Sequence, residues 1–105
     1  MKTIQITILA EDIRTTRYSS PSNCAITRAL HRSGLEDVME AGGTINLDGY
    51  SSIIKTPIEL AQKVKGMYKF LNPEEWTYGP TDRAIVPLEP VDFTYDLEVP
   101  DNWIE

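Results

Sequence analysis

Residues Thr3 to Ala10 alternate, with Ile4, Ile6, Ile8 and Ala10 on one side and Thr3, Gln5, Thr7 and Leu9 on the other, which predicts a strand with one buried face. A second alternation is longer and cleaner. Val91, Phe93, Tyr95, Leu97 and Val99 are interleaved with Asp92, Thr94, Asp96 and Glu98 until Pro100 stops the run.

Between these strands the apolar period lengthens to that of helices. From Asn23 to Ser33, Ala25, Ile26, Ala29, Leu30 and Ser33 share one arc, while Cys24, Thr27, Arg28 and His31 lie opposite and Arg32 sits at the border. Ser20, Ser22 or Asn23 is expected to cap the start, and Gly34 to turn left-handed past the end. A second helix opens at Thr56-Pro57-Ile58-Glu59, with Thr56 as cap, Pro57 at the first helical position and Glu59 at the third. Leu60, Ala61, Val64, Met67, Tyr68 and Leu71 form its core stripe, Lys63, Lys65 and Lys69 fall outside, and Asn72-Pro73 ends it. Phe70 lies off the stripe.

The remaining stretches are read from turn chemistry. Glu11 to Thr15 leaves the sheet through one helical turn. Val38, Met39, Ala41, Ile45 and Leu47 are expected to make one strand, bent or bulged at Gly42-Gly43. Asp48-Gly49 then predicts a hairpin turn, with Tyr50 to Lys55 returning antiparallel. From about 73 to 90 the pattern is irregular, with a short strand expected at Arg83 to Val86. The tail, 101 to 105, brings Trp103 and Ile104 back onto the domain or presents them as a contact surface.

The expectation is therefore a single α+β domain over residues 1–105, in strand-helix-hairpin-helix-strand order. Two helices would cover one face of a mostly antiparallel sheet, an order shared with ferredoxin-like folds. A hydrophobic fraction of 41% and a charged fraction of 25% are ordinary globular values. No apolar run is long enough for a membrane span, and the N-terminal segment reads as a strand rather than a signal peptide. A single cysteine cannot staple its own chain, which suits a reducing cytoplasm.

Charge sharpens this picture. The net charge of −6 argues against nonspecific binding to nucleic acid. Its distribution is uneven: up to Gly34 there are five basic and two acidic residues, and from Leu35 onward five basic and fourteen acidic. The basic half centres on Thr15 to Arg32. There Arg14, Arg17, Arg28 and Arg32 surround a Ser- and Thr-rich loop and a helix start whose free N–H groups attract anions.

Other chemistry is thinner. Cys24, in the first helical turn with Arg28 one turn on, is the candidate nucleophile, but His31 is about 10 Å along the axis and too far to act as its base. One Cys and one His give no zinc spacing, and the acidic clusters read as solvated faces, so no metal or cofactor is expected. Gly42-Gly43 is no phosphate loop, because more strand follows it.

Three stretches carry a resemblance: Asn23-Cys24-Ala25-Ile26 followed by Ala29-Leu30, then Thr56-Pro57-Ile58-Glu59, then Pro90-Val91-Asp92-Phe93-Thr94-Tyr95-Asp96-Leu97. Together these resemble a group of short bacteriophage and prophage accessory proteins that have no established activity. Where such proteins are expected to have Cys-Pro, this chain has Cys24-Ala25, and residues 74 to 89 look inserted. The resemblance implies a setting, a phage accessory gene acting in the cytoplasm of a host bacterium, with counter-defence among its jobs.

Two binding functions follow. In the first, a non-enzymatic protein sequesters a small anionic, nucleotide-like ligand: Arg14, Arg17, Arg28, Arg32, Ser20, Ser22 and Asn23 hold the phosphate, and Tyr18 or Trp76 stacks on the base. In the second, the acidic half, anchored by Trp76, Tyr78 and Trp103, docks on a basic host defence protein as an inhibitor. A cysteine-dependent enzyme using Cys24 ranks third. Homo-oligomerisation stays open on the sequence.

Overall fold

The computed structural model describes residues 1–18, 24–47, 52–76 and 79–104. Its elements run β1 (Lys2–Ile8), α1 (Ala10–Thr15), α2 (Ala25–Arg32), β2 (Val38–Ala41), β3 (Thr44–Leu47), β4 (Ser52–Lys55), α3 (Ile58–Leu71), α4 (Pro80–Ala84) and β5 (Phe93–Val99), with short 3₁₀ turns at Pro73–Trp76 and Asp101–Trp103. The α+β class and the antiparallel pairing are as expected. The strands form two sheets rather than one: β1 with β5, and β2-β3-β4 as a meander.

In the first sheet Ile4 faces Leu97, Ile6 faces Tyr95 and Ile8 faces Phe93, so the apolar sides of the two alternating runs coincide in register. Ile6, Ile8, Leu97 and Val99 are buried, and α2, with Ala25, Ile26, Ala29 and Leu30 buried, packs against β1. In the second sheet the two glycines are the turn of a hairpin, not a bulge. Gly42 and Gly43 have φ of 60° and 82°, the left-handed pair that a two-residue turn matched to strand twist demands, and Ala41 pairs with Thr44 across it. The Asp48-Gly49 turn lies outside the described residues; on its far side β4 pairs with β3 from Ser52 to Lys55.

Two expected outer positions of α2 are inside. Cys24 and Thr27 are buried because the helix is covered on a second side by β2, whose Glu40 N–H donates to Thr27 Oγ1 at 3.0 Å. Ser33, placed in the core arc by its spacing, is exposed.

On α3, Leu60, Val64, Met67 and Tyr68 are core, while Leu71 and Phe70 face outward. Lys69, expected outside the stripe, is buried. Its ammonium donates to the carbonyls of Asp82, Arg83 and Ile85 at 2.9, 3.3 and 2.8 Å and so satisfies the C-terminal end of α4. The strand expected at Arg83–Val86 is instead the end of α4 and an extended strap, pinned to α3 where Leu88 N–H donates to Gly66 O at 2.9 Å.

Trp103 folds back: it is buried, and its Nε1 donates to Ser52 Oγ at 2.9 Å.

Candidate functional site

The entrance to α2 is built from the protein's own groups. Cys24 is the N-cap, and its Sγ accepts the Thr27 N–H at 3.5 Å. The Ala25 N–H donates to Tyr68 Oη at 2.9 Å. Thr16 gives its hydroxyl proton to the Asp12 carbonyl, so in the Tyr68–Thr16 contact the phenol is the donor. A hydrogen-bonded chain thus runs from α2 through α3 to α1, and the first helical N–H that was expected to meet phosphate is closed inside it. Ser20, Ser22 and Asn23, the expected caps and ligand contacts, lie outside the described residues.

Arg28 and Arg32 are also engaged. Arg32 Nη2 donates to both carboxylate oxygens of Asp12, at 2.9 and 3.0 Å, and its Nη1 donates to Thr7 O at 2.7 Å. Arg28 Nη1 donates to Thr15 Oγ1 at 2.8 Å and lies 3.9 Å from Asp12 Oδ1. Both expected ligand contacts are thus engaged with Asp12 and its neighbours on α1 and β1. The buried Asp12 carboxylate, which also accepts the Leu9 N–H, needs positive partners more than a solvated phosphate does.

The remaining predicted residues come together elsewhere. Arg14, Arg17, Tyr18 and Trp76 line one cleft of about 510 Å³ with Thr16, Lys65, Tyr68, Asn72, Glu75 and Asp82. Arg14 stands in the last turn of α1 and Arg17 just past its end; Lys65, Tyr68 and Asn72 project from successive turns of α3 and its C-cap. Among the described residues neither Arg14 nor Arg17 is paired with a carboxylate. The wall is aromatic: Tyr18 meets Trp76 edge-on at 5.4 Å between ring centroids and Tyr68 at 5.7 Å, and the Lys65 ammonium stands 5.5 Å from the Tyr18 ring. Burial, and after it the Glu40 carboxylate, push the Tyr18 phenol far above its ordinary value, so Tyr18 remains neutral.

Lys65, Tyr68 and Asn72 line this cleft without having been among the expected contacts. Their spacing of three and four along one helix was the available signal, and the apolar stripe absorbed it by taking Tyr68 as core.

The other expected chemistries fare as follows. Cys24 is buried, and burial raises its thiol despite hydrogen bonds from Thr27, so a reactive thiolate is not what this environment supports. His31 Nε2 is 2.9 Å from Val38 O at the far end of α2. Of the acidic-surface anchors, Trp103 is consumed internally, Trp76 is half-buried against Tyr18, and Tyr78 lies outside the described residues. Among the described residues no cluster of His, Cys, Asp or Glu has the geometry to hold a metal, and no helix is long and apolar enough to cross a membrane.

Compared with protein-family models, curated proteins and solved structures, the chain matches none.

Proposed function

We propose that the protein binds a small anionic, nucleotide-like ligand in the cleft between the end of α1 and α3, and holds it without converting it. The observation that carries this reading is the convergence of Arg14 and Arg17, two guanidinium groups with no carboxylate partner among the described residues, with Lys65 on an aromatic-walled cleft. Guanidinium groups without a carboxylate partner keep their bidentate donor geometry for a phosphate. Trp76 and Tyr18 offer ring surface to a base, while Glu75 and Asp82 on the same wall supply acceptors for sugar hydroxyls. A volume near 510 Å³ is in the range of small-molecule sites. The phage setting implied by the sequence resemblance makes sequestration of a signalling nucleotide the matching biological role.

Calorimetry against a panel of linear and cyclic nucleotides tests the reading. Binding at micromolar or tighter affinity is expected for at least one member, weakened about tenfold or more by Arg17→Ala. Recovery of an altered nucleotide after incubation would contradict the non-enzymatic part. Silence across the panel would contradict the ligand class.

A further inference from the structure

Arg14 and Arg17 share their cleft with two carboxylates, Glu75 and Asp82, and among the described residues no salt bridge joins these opposite charges. The cations come from the last turn of α1 and the chain just past it, the carboxylates from the 3₁₀ turn after α3 and from α4. Charges of both signs that line a cleft of about 510 Å³ without meeting are complementary to one ligand with two unlike ends, one anionic and one that donates hydrogen bonds. Phosphate supplies the first. The second has to come from the remainder of the same molecule.

The two carboxylates are not equivalent. Glu75 is exposed, whereas Asp82 is half-buried. Asp82 is also fixed through its main chain: its carbonyl accepts the buried Lys69 ammonium at 2.9 Å and the Ile85 N–H at 3.3 Å, which ties α4 to α3 at this residue. Its carboxylate, by contrast, has no hydrogen-bond or charged partner among the described residues. A carboxylate partly withdrawn from water makes stronger hydrogen bonds than an exposed one. The bases differ in what they offer it. Guanine presents N1–H and N2–H2 side by side, two donors for two carboxylate oxygens, while adenine, cytosine and uracil each set an acceptor beside the donor on that edge.

We infer that the ligand of this cleft is a guanine nucleotide, with the Asp82 carboxylate accepting from N1–H and N2–H2 of the base. The inference rests on the nucleotide reading above and narrows it. Arg14 and Arg17 take the phosphate, Trp76 supplies the ring against which the base lies, and Glu75 is left for the sugar hydroxyls. Asp82 would repel a phosphate, so the same residue that selects the base also fixes which end of the nucleotide lies at α4.

Calorimetric titration of the full chain with GDP, ADP and IDP tests this, because the three share sugar and phosphates and differ only in the base; the hypoxanthine of IDP keeps N1–H and lacks the N2 amino group. GDP should bind at least about tenfold more tightly than ADP, with IDP between them. Asp82→Asn should bring GDP down to the level of ADP and should melt as the wild type does, since Lys69 is held by the residue 82 carbonyl and not by the carboxylate. ADP binding as tightly as GDP, IDP binding as tightly as GDP, or a GDP preference that survives in folded Asp82→Asn would overturn the base assignment while leaving the anion site standing. Absence of binding by all three would overturn both. The IDP comparison uses the wild-type chain and so decides the matter even where the variant does not fold.

Discussion

Arg32 grips Asp12 through a single nitrogen shared between both carboxylate oxygens, at 2.9 and 3.0 Å, across 20 residues of sequence. The Asp12 side chain is 4% exposed and the Arg32 side chain 39%, so the cation reaches inward from the surface to neutralise a charge already withdrawn from water. That contact joins α1 to the end of α2.

Removing the cation should therefore cost stability and leave the cleft intact. Arg32→Ala leaves Asp12 with only the more distant Arg28 as a charged partner among the described residues. A loss of about 1–3 kcal/mol is expected, the lower part of the range for breaking a buried pair because Arg32 is partly solvated. Urea denaturation measures it. Unchanged stability would show that Asp12 is compensated some other way.

Gly66→Ala should destabilise although alanine is the better helix former. A Cβ at Gly66 would meet Val86 O at 2.5 Å, and that atom is backbone, so the strap must move. The gain of about 1 kcal/mol in helix propensity is set against overpacking of about 1–3 kcal/mol and the loosening of the Leu88–Gly66 bond. Hydrogen exchange at Leu88 should quicken in the variant, and thermal melting should report a net loss.

Lys69→Met should release α4. Three carbonyls lose a charged donor that lies in the described interior, for an expected cost of about 1–3 kcal/mol. Faster hydrogen exchange confined to residues 80–88, with β1 and β5 unaffected, is the expected pattern.

Glu40 gives a pH dependence of definite sign. Burial raises its carboxyl above the ordinary value, while the Gly43 N–H and Lys65 pull it back in part. The folded state holds this proton more tightly than the unfolded chain. Its contribution is therefore full below the unfolded value, about pH 4.3, and is lost as pH rises through the folded one. Glu40→Gln should flatten that decline, leaving the variant relatively more stable at pH 7 than at pH 4. Parallel pH profiles for the two proteins would rule this out.

What the chain disclosed in advance was what depends on neighbours in sequence. The alternations that became β1 and β5 and the stripe of Leu60, Val64 and Met67 are local periods, so their buried faces were legible. Thr27 and Cys24 were misplaced because α2 is covered twice, and the second cover, β2, leaves no mark on the helix's own pattern. The Gly42-Gly43 turn was visible but read as a bulge, since a strong Asp48-Gly49 signal follows closely and one strand with one turn accounted for both. Half of the lining of the candidate cleft was legible for the same reason. Arg14, Arg17, Tyr18 and Trp76 were identifiable as cations and rings, but the diversion of Arg28 and Arg32 depended on an aspartate distant in sequence.

Calorimetric titration of one binding nucleotide into wild type, Arg14→Gln/Arg17→Gln and Arg28→Gln tests the cleft most directly. The double variant should lose binding by at least about a hundredfold, whereas Arg28→Gln, once shown to be folded, should bind as wild type does. Binding that survives in the double variant and fails in folded Arg28→Gln would return the ligand to the entrance of α2 and contradict the assignment.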